Sequence, residues 1–412
     1  MDLKLLIIIA VLISGIYSVI LNIVKFCSAN NPTPQSVSDV YDAETYAKWK
    51  KYSAEHCRLS LVSTIVSCVV SIILLATNAY FAFSSLFPTN LFVQLISVIL
   101  LEMLVGTVLG VIEGYISTMI IEQKYGFNRS TMKTFIFDQI RSFILGMILS
   151  LAIASILTLH VYLGDWITLI FAGAMFGFTL IISFLYPYLS RIGNKFVPLE
   201  DGELKDQLMN LLNKHGYKVK AIEVMDASRR TTKLNAYFTG FGKTKTIVLY
   251  DNLVNAMSSE EICAVFAHEL GHGLNKDVLK GQIFSLVQFF VMAEIACLCV
   301  REVCLHTSFG FSGVNYGFAY ILIAAILGLV QPLLSLVANA RSRKAEYRAD
   351  KQAVNEGYGE AMISALKKLA RDNFAHLSPS KLNVVLEYSH PPLAQRIDAV
   401  NAMIKQKENK NA

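Results

Sequence analysis

Apolar positions in this chain fall in long unbroken runs rather than in alternating or one-sided stripes. A helix crossing the apolar core of a bilayer needs about 20 mostly apolar residues. Seven stretches reach that length: 3–24, 59–81, 91–121, 143–163, 167–189, 279–304 and 316–338. With one base, Lys4, ahead of a long apolar run, the first reads as a membrane span rather than a cleaved leader. The pattern changes at 190–278. Helical spacing over 201–215 ends at Gly216, short β-rich segments at 220–225, 234–238 and 246–250 are bounded by turn residues, and helical spacing returns from Ser259 to about Asn275. After the seventh run the helical pattern continues through 339–350. Further helices are expected over 358–371 and after Pro392, with a disordered polar tail at 405–412. The expected fold is mainly α, a polytopic membrane protein with a small α+β unit. Its divisions are a membrane region at 1–189, a polar α+β unit at 190–278, two further spans at 279–338, and a helical part at 339–412.

Composition agrees: 54% of the 412 residues are hydrophobic and only 17% are charged. The net charge of +6 does not point to nucleic acid, because no basic stripe with interleaved aromatics occurs. The positive residues sit in alternate loops instead. The first carries Lys25, Lys48, Lys50, Lys51 and Arg58, and the third carries Lys124, Arg129, Lys133 and Arg141. The long fifth loop and the tail are also basic, whereas the loops around Pro88, Asp165 and Gly310 hold no Lys or Arg. The positive-inside rule then places the polar unit and C-terminus in the cytosol and the N-terminus outside or in a lumen. Seven scattered cysteines with no C-x-x-C pair exclude a disulfide framework and a cysteine zinc site. Glu102, Glu113 and Glu294 interrupt the apolar runs; Glu102 and Glu294 are candidates for an interior or water-filled space, and Glu113 for a helix end. Gly106, Gly110 and Gly114, with Gly173 and Gly177, have the spacing expected at close helix contacts.

Candidate chemistry centres on His268-Glu269-Leu270-Gly271-His272. On a helix, residues four apart share a face, so both imidazoles can reach one cation, and Zn²⁺ suits that ligand type. Glu269 points away from that axis and can act as general base toward a water on the metal. A catalytic zinc usually has three protein ligands. Glu346 is the expected third, on a helix leaving the membrane near where the first helix enters it. Asp350, one turn on, is placed to accept the free ring N–H of a ligand histidine. Asn235-Ala236-Tyr237 reads as an edge strand able to hold an extended peptide by backbone hydrogen bonds.

Together with Asn339, Ser342, Arg343, Glu346, Ala349 and Asp350, this motif resembles the CAAX prenyl protease type 1 family. The resemblance extends to Tyr125-Gly126-Phe127-Asn128, Asp138-Gln139, 198–204, Asn235-Ala236-Tyr237 and Ser389-His390-Pro391-Pro392, and so covers nearly the whole chain. One departure is Gly273, where many eukaryotic members carry tryptophan. The resemblance implies seven helices around an internal chamber with a zincin-like domain on the cytosolic side. It implies one Zn²⁺ held by His268, His272 and Glu346, with Glu269 as base. It implies removal of the C-terminal tripeptide of prenylated C-a-a-X proteins by attack of a zinc-bound water. His390, matching the family's histidine–proline–proline turn, is the expected donor to the developing oxyanion. Arg396, just inside the last helix, is the expected clamp for the substrate's terminal carboxylate. The membrane would be that of the endoplasmic reticulum in a eukaryote and the plasma membrane in a bacterium. Rival readings are a membrane quality-control metalloprotease indifferent to prenylation and a non-enzymatic scaffold with a structural zinc.

Overall fold

A computed structural model describes residues 2–239 and 245–411. Long helices dominate it. Five precede the polar unit: α1 (Leu3–Ser28), α2 (Ala43–Ala76), α3 (Leu91–Gly114), α4 (Met132–Thr158) and α5 (Ile167–Leu189). The polar unit holds β1 (Phe196–Pro198), α6 (Glu203–Lys214), β2 (Ala221–Met225), β3 (Ala236–Thr239), β4 (Thr246–Tyr250) and α7 (Ser259–Leu274). Then follow α8 (Asp277–Arg301), α9 (Tyr316–Asn355), α10 (Gly359–Asp372) and α11 (Leu393–Asn411). Among the described residues, six continuous stretches are long and apolar enough to cross a membrane. One of them, Met132–Leu189, contains both α4 and α5, parted where Gly164 takes a φ of +52°. The seven apolar runs therefore occupy six stretches.

Helix contacts differ from the glycine pattern. A Cβ added at Gly106, Gly110, Gly173 or Gly177 would meet nothing within 4 Å, and only Gly114 of the two stripes lies near a neighbouring helix. Close approach falls instead at Gly317, whose Cβ would lie 2.6 Å from the Leu95 carbonyl of α3, and at Gly328, 2.8 Å from Ser14 of α1. Spacing reveals which residues share a helix face, not which face meets another helix. A cavity of about 440 Å³ lies between α1, α2, α3 and α9. Glu102 and Glu113 both line it, accepting hydrogen bonds from Tyr80 (2.6 Å) and Ser63 (2.5 Å). Glu113 thus faces the same space as Glu102, while Glu294 is exposed on α8.

The described strands form one sheet in the order β1-β2-β4-β3, antiparallel except for the parallel β2–β4 pair. β3 is an edge strand among the described residues. β1 has no counterpart in the sequence reading, because three residues ending in a proline carry no alternation to detect. Leu208, Leu212, Ile247, Leu249, Phe266 and Leu270 bury the sheet against α6 and α7.

α9 sets the geometry. Its 40 residues span about 60 Å at 1.5 Å per residue, about twice the apolar thickness of a bilayer. Its outer half therefore stands clear of the membrane and packs on α7. The expected disordered tail is instead helical to Asn411. Lys407 anchors it by donating to the Val354 and Asn355 carbonyls at the end of α9 (2.9 and 3.0 Å), groups a helix end leaves without partners. The first and third loops also join this outer layer. Val37, Tyr41 and Trp49 are buried with Leu366 and Ile397. Phe127 packs on Phe374 and Asp138 pairs with Arg230 at 2.7 Å.

Candidate active site

α7 begins at a capping box. Ser258 accepts from the Glu261 N–H and Glu261 accepts from the Ser258 N–H, which satisfies two donors that a helix start leaves open. Glu261 also accepts from Ser364 and Lys368 of α10, both at 2.6 Å, and this fixes the helix against its neighbour. One turn from the end, Gly271 faces α9. A Cβ there would lie 2.9 Å from Ala349 Cα, so the absence of a side chain lets the two backbones meet between the histidines. At Gly273 the space a Cβ would need is occupied by the ring and hydroxyl of Tyr217 from the neighbouring loop.

That close approach brings Glu346 to the histidine pair. Its carboxylate lies 3.6 Å from His268 Nε2 and 3.3 Å from His272 Nε2, and one ligand atom from each of the three lies within 4.8 Å of the others. The two imidazole rings stand nearly perpendicular, with centroids 4.8 Å apart. The far ring nitrogens are also engaged. His268 Nδ1 lies 2.9 Å from Asp350 Oδ1, and His272 Nδ1 lies 3.1 Å from Asp277 Oδ2. Arg348 in turn donates to Asp277 at 2.9 Å. Asp277 and Arg348 escaped the sequence reading. The signal was available, since a ligand histidine nearly always gives its other N–H to a carboxylate or carbonyl, and Asp277 follows His272 by five residues.

Glu269 sits beside the pair. Burial pushes its carboxyl above the usual carboxylate range, against the pull of both histidines. Burial works against a charged His272 ring, but the Glu346 and Asp277 carboxylates prevail and push it up to about 9. A proton and a cation compete there for the same lone pair.

The group fits a zinc ion. Ligands about 2.0–2.1 Å from a tetrahedral centre lie roughly 3.3 Å apart, close to the two Glu346 separations. Glu346 Oε2 is buried with no hydrogen bond among the described residues, although Arg396 Nη1 lies 3.3 Å away, so its lone pairs are left for a cation between the three side chains.

The remaining predicted residues are placed as follows. His390 is exposed, with Nε2 3.4 Å from Glu346 Oε1, so it borders the same centre. Its loop is held by Arg343, which donates to the Val384 and Tyr388 carbonyls, and by Asn339, which donates to that of Leu386. Arg396 does not stand free for a substrate carboxylate. Its side chain is only 12% exposed, and Nε and Nη2 both donate to Asp350 at 2.9 and 2.6 Å. Asn235 is exposed at the start of β3, where its side chain accepts from the Ala236 N–H. Asn235 and Tyr237 line a cavity of about 670 Å³ shared with Tyr186 and Tyr250. No hydrogen bond among the described residues joins this strand to the histidine pair, although β3 packs beside α7.

Comparison with known proteins agrees in both halves. Residues 198–404 match peptidase family M48, and residues 22–191 match the CAAX prenyl protease N-terminal family of five membrane helices. A rice protein named CAAX prenyl protease 1 homolog is 36% identical over 71% of this chain and 70% of its own length. The CAAX prenyl protease 1 of Saccharomyces cerevisiae is 30% identical over 91% and 90%. The crystal structure of S. mikatae Ste24p superposes with a TM-score of 0.90 at 26% identity, covering 97% of this chain and 99% of that one. The chain belongs to peptidase family M48, in its CAAX prenyl protease 1 group, and is a multi-pass membrane metalloendopeptidase acting on peptide or protein substrates.

Proposed function

We propose that this protease removes the C-terminal tripeptide of prenylated C-a-a-X proteins, using one zinc ion per chain. The observation that carries the reading is the convergence of His268, His272 and Glu346, with Glu269 beside them, where α9 leaves the membrane. In this reading those three side chains hold the ion. Bound there, zinc would polarise the scissile carbonyl and acidify a neighbouring water. Glu269 takes the proton from that water and passes it to the departing amine, a role suited by a carboxyl that burial raises above the usual carboxylate range. His390 donates to the carbonyl oxygen as negative charge builds on it. A donor at that point contributes about 2.7–4 kcal/mol. Asp350 fixes the orientation of His268, and Arg396 acts through Asp350 as a positioning residue instead of a clamp on substrate. The open edge of β3, from Asn235 to Tyr237, offers backbone groups to an extended peptide.

In this reading the catalytic part faces the cytosol, where C-a-a-X tails are found, as the loop charges support. The working division of the chain remains 1–189, 190–278, 279–338 and 339–412, with the third ligand supplied by the last part. A matched pair of peptides tests the reading: a prenylated C-a-a-X peptide is cut faster than its unprenylated twin, with release of the terminal tripeptide. Equal rates would transfer the chain to membrane quality control.

A further inference from the structure

Where α8 enters the membrane and α9 leaves it, a cavity of about 470 Å³ lies in the seam between them. It touches His272 and is lined by four bases, Lys280, Arg341, Lys344 and Arg348, against one acid, Asp277. Asp277 is already engaged by His272 and Arg348. Among the described residues, no carboxylate pairs with Lys280, Arg341 or Lys344. Arg341 is nonetheless fixed in place: its guanidinium stacks on Phe284, 4.4 Å from the ring centroid, and donates to the Lys280 carbonyl at 3.2 Å. Three neutral hydrogen-bonding side chains, Ser285, Gln288 and Ser342, also line it. Further along both helices, toward the membrane, the surface turns apolar. Ile283 and Val287 on α8, and Leu333, Leu336 and Val337 on α9, are exposed. A cationic recess at the head of an apolar helix seam, at the level of the bilayer surface, matches an amphiphile with an anionic head and acyl chains.

We propose that this seam binds an anionic phospholipid of the leaflet facing the catalytic domain. Its phosphate sits among Lys280, Arg341 and Lys344, and its chains lie along α8 and α9. The reading stands on charge and position and does not depend on which peptides the enzyme cleaves. The cavity lies on the Nδ1 side of His272, where Asp277 and Arg348 stand, so the headgroup would neighbour the residues that orient a metal ligand without touching the reacting atoms.

The test uses the full chain in detergent and in phosphatidylcholine nanodiscs, with dioleoyl phosphatidic acid as probe. Native mass spectrometry and a fluorescent-lipid titration read binding, with inorganic phosphate as a competitor. Wild-type protein should retain phosphatidic acid in preference to phosphatidylcholine, more weakly as salt rises. A Lys280→Gln, Lys344→Gln variant should bind it roughly 25-fold less tightly, at about fivefold per base near a membrane surface. Lys280→Arg with Lys344→Arg should restore binding, and so separates lost charge from lost folding. Inorganic phosphate alone should compete poorly, since it lacks the chains. Equal binding by wild type and the glutamine variant overturns the proposal. So does a glutamine variant whose only change is a higher KM for free-carboxylate peptides over amidated ones, because the recess would then serve the substrate terminus.

Discussion

Two pairs of carboxylates on two helices are held in opposite ways. Glu346 and Asp350 lie one turn apart on the outer half of α9, both buried, and both face cations or imidazoles. Glu102 and Glu113 lie about three turns apart on α3. Among the described residues each accepts a single hydroxyl hydrogen bond, and each opens onto a cavity that many serines of α1 and α2 also line. A carboxylate closed off from water must be paired, or it gives up its charge. One beside a space large enough for water can be solvated instead. The first pair therefore belongs to a site whose charges are locked by their partners. The second lines a pocket inside the membrane part large enough to admit water, where a partner is optional.

The comparison can be broken at four points. Glu269→Gln has the largest expected effect. Turnover should fall about 10²–10⁴-fold, the usual worth of a general base, while zinc content and Tm stay at wild-type values. Activity within a few-fold of wild type removes Glu269 from the reaction. Next comes Asp350→Ala, which strands both Arg396 and His268. Breaking a buried ion pair from one side costs about 3–5 kcal/mol, and loss of a ligand's orienting partner weakens metal binding about 10–100-fold. Thermal unfolding and zinc retention against a chelator measure the two separately. A loss below about 1 kcal/mol would show that this network behaves like a surface pair. Asp277→Asn should be milder, near the lower end of that metal-affinity range and with little change in Tm, because its pair with Arg348 is half open to solvent. Last, Glu113→Gln should change stability by no more than about 0.5 kcal/mol, since the amide oxygen can still accept from Ser63. A cost matching that of Asp350→Ala would erase the contrast between the pairs.

Local rules determined a good deal from the sequence alone. Long apolar runs force helices, because a bilayer offers no water to backbone groups, and these runs return as α1 to α5, α8 and the inner half of α9. The i, i+4 spacing of His268 and His272 is fixed by helix geometry, and so is the shared face of Glu346 and Asp350. What lay beyond local rules is the meeting of distant segments. Only the packed chain shows that Gly271 and Gly317, not the glycine stripes of α3 and α5, are where backbones close up, and that the Gly271 contact delivers Glu346 across 74 residues to His272. Only there does Arg396, which has the look of a free clamp, turn out to be committed to Asp350. The polar tail likewise becomes a helix because Lys407 finds the carbonyl end of α9. A residue's type and spacing state what it can bind. Which partner reaches it first is decided by the fold, because hydrogen bonds and charges are satisfied by whatever lies within about 3 Å, however far away in sequence.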